Sequence, residues 1–246
     1  MSSSEQFYIG AYWGDRAEEL TACSKRIVSF LKHLSAVETA FSKWYEIGGS
    51  HKSALKKKID VSEGFIENLL LKGRIRTDID RSVMVELGYN VGLWNGLSEE
   101  EGTVGLSISC GISANNPNLV NSLVIRLPAQ GQSAQRILQH DVILGILREV
   151  VVMWEPSWAV VSSSGIREVS AVKQGTPHFA WILFLEKQRG MIPTLDSPSQ
   201  VDCIDGYGNT IIITPEQFDI SCKEHIRTLK AVYKQLRKGG LLKPVE

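Results

Sequence analysis

The sequence predicts a single α+β domain, with a mostly antiparallel sheet and amphipathic helices packed on it. Several segments alternate apolar residues with small or polar ones at the period of two that is typical of strands. Other segments repeat apolar residues at helical spacing. Short turn-forming loops join neighbouring strand-like segments, as in an antiparallel meander. Because no internal repeat, low-complexity tract or Pro/Ser-rich linker interrupts residues 1–246, we expect one domain.

The first strand-like segment, "FYIGAYW", is unusually rich in aromatic residues. Such a segment either forms a core strand or contributes a binding site, and we favour the core. Both faces are largely apolar, which predicts a central strand covered on both sides. Tyr12 is the ring expected to keep its hydroxyl at a surface. One face would hold Phe7, Ile9, Ala11 and Trp13, and the other Tyr8, Gly10 and Tyr12.

The period then changes to that of a helix. Apolar residues from Leu20 to Leu34 recur on one helical stripe, and Asp15 is a candidate N-cap. The segment "FSKWYEIGG" predicts a second short strand. Ser62 is a candidate cap for a short helix that ends at Gly73.

An antiparallel meander is predicted next. Its strands are "VMVELGYNVGLW", "TVGLSISCGIS" and "LVNSLVIRLP", joined by the loops "NGLSEEEG" and "ANNPN". The middle strand alternates strictly, with one apolar face and one face of glycine and serine.

The second half is expected to alternate helices with strands. A helix is predicted from about residue 133 to 151, and two strands follow in "SWAVVSS" and "HFAWILFLE". A hairpin in "VDCIDGYGNTIIIT" precedes a final helix with Ser221 and Glu224 as a capping box.

Composition excludes several functional classes. The net charge is zero, which argues against direct binding of nucleic acid, and apolar runs are too short to span a membrane. The start lacks the basic and apolar regions of a secretory signal. Four scattered cysteines, without a C-x-x-C pair, indicate reduced thiols and a cytoplasmic protein.

Charge is distributed unevenly along the chain. Residues 82–125 contain no lysine or arginine, while Glu99, Glu100 and Glu101 cluster in one meander loop near Trp94. Clustered acids at a loop tip are common on soluble surfaces. They could also present carboxylates to a basic groove, with Trp94 as an aromatic anchor. Both interpretations stay open at this point.

Common catalytic and cofactor motifs are missing, including G-x-S-x-G, H-E-x-x-H, Walker and dinucleotide-binding patterns. We therefore predict no catalytic residue, metal site or cofactor. The alternative is an unrecognised α+β enzyme that uses Asp202 and Asp205 with His140 or His178. The segment "DGYGN", which contains Asp205, is typical of a turn. Asp141 should not orient His140, because adjacent residues on a helix point in different directions.

The segments "YIGAYWGDR" and "FSKWYEIGGSHKSAL" resemble the family-52 immunity proteins of bacterial polymorphic toxin systems. Weaker similarity continues in "GYNVGLWNG", "ITPEQFD" and the final helix with "GGLL". The resemblance implies a non-enzymatic α+β protein that neutralises a nuclease toxin with a restriction-endonuclease-like core, often delivered by type VI secretion. The signature residues would be Tyr8, Gly10, Tyr12, Trp13, Trp44 and Tyr45, which we interpret as mainly structural.

Together these observations predict an antitoxin that forms a stoichiometric complex with its toxin. Its predicted contact residues are Tyr12, Trp94, Glu99, Glu100 and Glu101.

Overall fold

A computed structural model describes residues 5–116, 118–169 and 175–244. Pro117 of the "ANNPN" loop lies outside the described residues. The strands are β1 (Phe7–Trp13), β2 (Tyr45–Glu46), β3 (Tyr89–Trp94), β4 (Gly105–Cys110), β5 (Asn121–Arg126), β6 (Trp158–Ser163), β7 (Ile182–Glu186), β8 (Gln200–Ile204) and β9 (Gly208–Ile212). The helices are α1 (Leu20–Val37), α2 (His51–Ala54), α3 (Glu63–Lys72), α4 (Gly131–Ile137), α5 (His140–Trp154), α6 (Ser164–Glu168) and α7 (Lys223–Lys238).

All nine strands form one antiparallel sheet in the order β2-β3-β4-β5-β1-β6-β7-β9-β8. The predicted α+β class is confirmed. The meander of β3, β4 and β5 and the hairpin of β8 and β9 are also confirmed. β1 lies at the centre of the sheet, between β5 and β6, as its apolar pattern predicted.

One face of the sheet is packed beneath helices α1, α3 and α5. Phe7, Ile9, Ala11 and Trp13 point to this face and are buried. The Trp13 ring lies 5.5 Å from that of Trp154 on α5. This arrangement follows from the apolar stripes of the helices, which bury against the apolar face of the sheet.

The opposite face is divided into two halves. Over the first half, α7 packs on the β6–β7–β9 side, where Val160, Leu183 and Ile211 are buried. The Tyr233 hydroxyl of α7 donates to the carbonyl oxygen of His178 over 2.6 Å. These contacts bury the apolar stripe of a helix whose other side is strongly charged.

The second half of that face consists mainly of small or polar side chains that remain partly exposed. We call it the open face, and its residues on β3, β4 and β5 are Asn90, Gly92, Gly105, Ser107, Ser109, Ser122, Val124 and Arg126. β1 lies at its boundary, and Tyr8 and Tyr12 are only half-buried. The predicted cover on both faces of β1 is therefore complete on the side of Phe7, Ile9, Ala11 and Trp13 and partial on the side of Tyr8 and Tyr12.

Three local helix predictions were also wrong. The first helix begins at Leu20, and the Asp15 carboxylate instead accepts the Asn115 backbone N–H over 2.5 Å. The segment 133–151 contains two helices, because Gln139 adopts an extended backbone between α4 and α5. At α7 no capping box forms, since the Ser221 hydroxyl donates to Asp219.

Two arginines hold the C-terminal end of α5. Arg16 donates to the Trp154 carbonyl over 2.9 Å, and Arg26 donates to the Met153 carbonyl over 2.8 Å. Glu18 pairs with both guanidinium groups, and Arg16 also lies over the Trp13 ring. Cations at a helix C-terminus satisfy its free carbonyls and complement its dipole. The aromatic first segment and its "GDR" continuation thus anchor α1 and α5 together.

Candidate functional site

A buried asparagine holds the base of the β3–β4 loop. The Asn95 side-chain oxygen accepts the backbone N–H groups of Leu97 (3.2 Å) and Val104 (3.0 Å). Its amide donates to the carbonyls of Ala40 and Gly102. This fixes both ends of the loop that carries the three glutamates. Sequence reasoning treated Asn95 only as part of a turn, although an Asn-Gly pair after a strand was the available signal.

Glu99, Glu100 and Glu101 are exposed in this loop, and we call them the acidic tip. Glu101 folds back, and its carboxylate accepts the Ser98 backbone N–H over 2.9 Å. That hydrogen bond lowers the pKa of Glu101 below its ordinary value. Glu101 therefore stabilises the tip in its ionised form, while neighbouring Glu99 and Glu100 add exposed negative charge.

Trp94 lies directly beneath the acidic tip. Its indole N–H donates to the Leu97 carbonyl (3.0 Å) and to the Thr103 hydroxyl (2.9 Å). The ring contacts His51 edge-on, with ring centroids 5.0 Å apart, and Tyr45 at 6.0 Å. Between α2 and the loop lies a groove of about 270 Å³, which we call the tip groove. Its lining includes Ile47, His51, Trp94, Leu97, Glu99 and Thr103.

Tyr12 belongs to an aromatic cluster on β1 and β6. Its ring stacks on Trp158 at 4.2 Å, and His178 meets Trp158 edge-on at 5.3 Å. A Cβ at Gly10 would lie 2.8 Å from the Tyr12 hydroxyl, so the glycine makes room for the tyrosine ring. Burial raises the pKa of Tyr12 to about 12. The hydroxyl is therefore a neutral hydrogen-bonding group at physiological pH.

The sheet register places both aromatic groups on the same side of the sheet. Tyr8 aligns with Arg126, Gly105 and Trp94 across β1, β5, β4 and β3. Three strand spacings separate Tyr8 from Trp94, or about 14 Å. Tyr12 lies four residues further along β1. The open face therefore lies between Tyr12 and Trp94.

The other residues of the proposed signature differ in burial. Trp44 is buried and stacks on Phe41 at 6.2 Å. The Tyr8 hydroxyl lies 2.7 Å from His178 Nε2. Tyr45 is half-buried, and its ring occupies the space where a Cβ at Gly96 would be. The structure thus divides the rings of the signature into two buried tryptophans, Trp13 and Trp44, and three half-buried tyrosines on the side of the open face, Tyr8, Tyr12 and Tyr45.

The groups of the alternative enzyme are not brought together. Asp202 is on edge strand β8, three strands away from β6, the strand that carries Trp158. The register places Asp202 on the same side of the sheet as Ala11. His178 packs on the opposite side, against Tyr12 and Trp158. Asp205 is exposed in the β8–β9 turn, and His140 begins α5. Within the described residues, no group of three or more potential ligands could hold a metal ion.

One expectation about His140 was wrong. Its Nδ1 lies 3.2 Å from the Asp141 carboxylate, although the two residues are adjacent on a helix. Asp141 occupies the first turn, where its fully exposed side chain can bend back along the helix surface.

His178 should make stability depend on pH. Burial lowers its pKa from 6.5 to about 4 in the folded chain. Between these values the unfolded chain binds more protons, so stability is complete above pH 6.5 and decreases as the pH falls toward 4. The expected loss is about 3 kcal/mol. Urea unfolding at pH 7.5 and pH 4.5 measures it, with His178→Gln as the matched control that should lose less. An equal loss in both proteins would contradict this assignment.

Comparison with known proteins decides the family. The model of the Imm52 family, immunity protein 52, matches residues 5–245. The chain belongs to the immunity protein 52 family. Among solved structures, the family member is similar to a type VI secretion system protein of Pseudomonas aeruginosa, with a TM-score of 0.58 and 11% identity. The match covers 94% of this chain and 76% of that one. No curated protein sequence matches the chain.

The fold of this immunity protein 52 family member is therefore shared with a secretion-system protein of low sequence identity. The resemblance inferred from the amino-terminal aromatic segments is confirmed over nearly the whole chain. Among its described helices, none combines the length and apolar character needed to cross a bilayer.

Proposed function

We propose that this protein neutralises a cognate toxin by binding it directly in a stoichiometric complex. The observation that carries the proposal is the immunity-family match over residues 5–245. The fold shared with a type VI secretion system protein supports a toxin of that system. The toxin is a nuclease in this proposal, as the sequence resemblance implies, and the immunity protein acts by binding without a catalytic step of its own.

The proposed contact surface runs from the acidic tip and Trp94 across the open face to Tyr12. A nuclease must hold an anionic backbone, so the surface around its substrate groove is expected to be basic. The acidic tip offers carboxylates to such a surface, and Glu101 is kept ionised by Ser98. Trp94 supplies an aromatic side chain of the kind enriched at binding hot spots.

The proposed place of action is the cytoplasm. Cys23, Cys110, Cys203 and Cys222 are all free thiols, which suits a reducing compartment. A nuclease that reached the nucleic acid of its own cell would meet the immunity protein there.

Co-expression tests the function directly. Cells that express the adjacent toxin gene should survive only when this protein is also produced, and the two chains should co-purify as a complex of defined mass. An inactive toxin variant allows the affinity to be measured without toxicity. A toxin from an unrelated gene pair serves as the control and should neither bind nor be neutralised. Full protection by a chain that does not bind its toxin would rule out direct neutralisation.

A further inference from the structure

A short antiparallel arm extends between α3 and β3, and we call residues 74–84 the arm. Its two sides are joined by backbone hydrogen bonds from Met84 to Ile75 (3.0 Å) and from Thr77 to Ser82 (2.9 Å). An isolated bridge pairs Arg76 with Val83. The arm is therefore a hairpin-like element that sequence reasoning missed, because it lacks the strict alternation of the longer strands.

The end of the arm presents an apolar side chain to solvent. Ile79 is 98% exposed, the highest value among the exposed large apolar side chains of the described residues. Six of the ten such side chains fall between residues 47 and 85, and they are Ile47, Leu55, Leu71, Ile75, Ile79 and Val85. These six residues are close in the sequence, and Ile79 is the most exposed of them.

Several polar interactions hold the end of the arm in one conformation. The Asp80 carboxylate accepts the Ser82 backbone N–H over 3.0 Å and also binds the Thr77 hydroxyl. Those hydrogen bonds lower the pKa of Asp80 to about 2, so it remains ionised. Arg81 adopts a φ of 60°, an uncommon conformation for a residue other than glycine. Arg76 donates to the Arg81 carbonyl over 3.0 Å.

The arm begins at the same edge of the sheet as the tip groove. A Cβ at Gly73 would lie 1.7 Å from the Asn90 carbonyl oxygen, so the base of the arm touches β3 directly. Asn90 and Trp94 are four residues apart on β3, or about 13 Å. An interface of ordinary size buries about 800 Å² on each partner, which is enough to include the base of the arm and the tip groove.

We propose that the arm is a second contact element for the toxin and that Ile79 inserts into an apolar pocket on the toxin surface. The inference rests on the proposed function. The exposed charges of Asp78 and Arg81 lie on either side of Ile79 in the chain. The receiving pocket would thus have an apolar floor and a rim carrying both signs of charge. Ordering costs are low because the arm is already structured before binding.

Replacing Ile79 with aspartate tests the proposal. Affinity for the inactive toxin should fall about thirtyfold or more, as expected for loss of a hot-spot side chain. The melting temperature should stay close to that of the wild type, because Ile79 is exposed. Met191→Asp is the matched control, since Met191 is 92% exposed in the segment before β8. That control should bind like the wild type.

The outcomes separate the arm from the overall function. Wild-type binding together with Ile79→Asp affinity within twofold of it would overturn the arm proposal and leave the immunity function intact. Failure of the wild-type chain to bind the toxin would overturn both. An equal loss of affinity for the toxin in Ile79→Asp and Met191→Asp would also reject a specific role for the arm.

Discussion

Replacing Trp13 with alanine should lower the stability of the fold by about 3–5 kcal/mol, as large-to-small changes in packed cores do. Trp13 is only 3% exposed, and its ring contacts Trp154 and the guanidinium of Arg16. Loss of the ring would leave a cavity beneath α5 and remove a partner of the arginine that holds the end of that helix. Urea unfolding and the melting temperature measure the loss.

Trp44→Ala should have an effect of similar size. Its ring is buried against Phe41 at the start of β2, and truncation would open a cavity there. Trp94→Ala is the matched control, because Trp94 is only half-buried and should cost less stability. Toxin binding by Trp13→Ala and Trp44→Ala should weaken only as far as unfolding reduces the native fraction. Wild-type stability combined with lost binding would show that the tryptophan contacts the toxin.

The sequence predicted the sheet well because strand periodicity depends on burial. β1, β4 and β7 are central or near-central strands, and their apolar residues had to face a core. The glycine and serine face of β4 was also visible in the sequence. The sequence did not show that this face remains open to solvent. That follows from the packing of α7, which covers only the other half of the same side of the sheet.

Local signals were less reliable where side chains had competing partners. Asp15 and Ser221 both have the residue type of a helix cap, yet each forms a hydrogen bond outside the helix. Ser62 does occupy the N-cap position of α3, but its hydroxyl donates to Asp60. Residue type shows which side chains are able to cap a helix. The hydrogen bond that each of them forms depends on the partners that the surrounding loop offers.

The candidate site was only partly predictable for a related reason. The acidic tip could be predicted from the distribution of charged residues along the sequence, because a run of exposed charges does not depend on packing partners. Asn95 and the arm depend on pairing between distant backbone groups. The proximity of Tyr45, His51 and Trp94 likewise depends on β2 pairing with β3. Such proximity follows from topology and not from local pattern.

Charge reversal of the acidic tip should slow association with the toxin about tenfold or more at low ionic strength. Glu99, Glu100 and Glu101 would become lysines, which changes attraction to a basic surface into repulsion. Stability should change little, because exposed charges contribute little to folding. A double variant of Glu99 and Glu100 spares the Glu101–Ser98 hydrogen bond and separates loop structure from charge. Stopped-flow association with the inactive toxin gives the rates.

Salt dependence decides whether the effect is electrostatic. Exposed charges are screened over about 8 Å at physiological ionic strength, so the difference in rate should shrink as salt is added. The matched control reverses Asp196, Asp202 and Asp205, which are exposed in the segment from 196 to 205 around β8. It changes the net charge equally but at the far edge of the sheet, and should slow association less. If both variants associate equally slowly, the effect is due to net charge. If the tip variant associates at the wild-type rate at low salt, the acidic tip is not part of the interface.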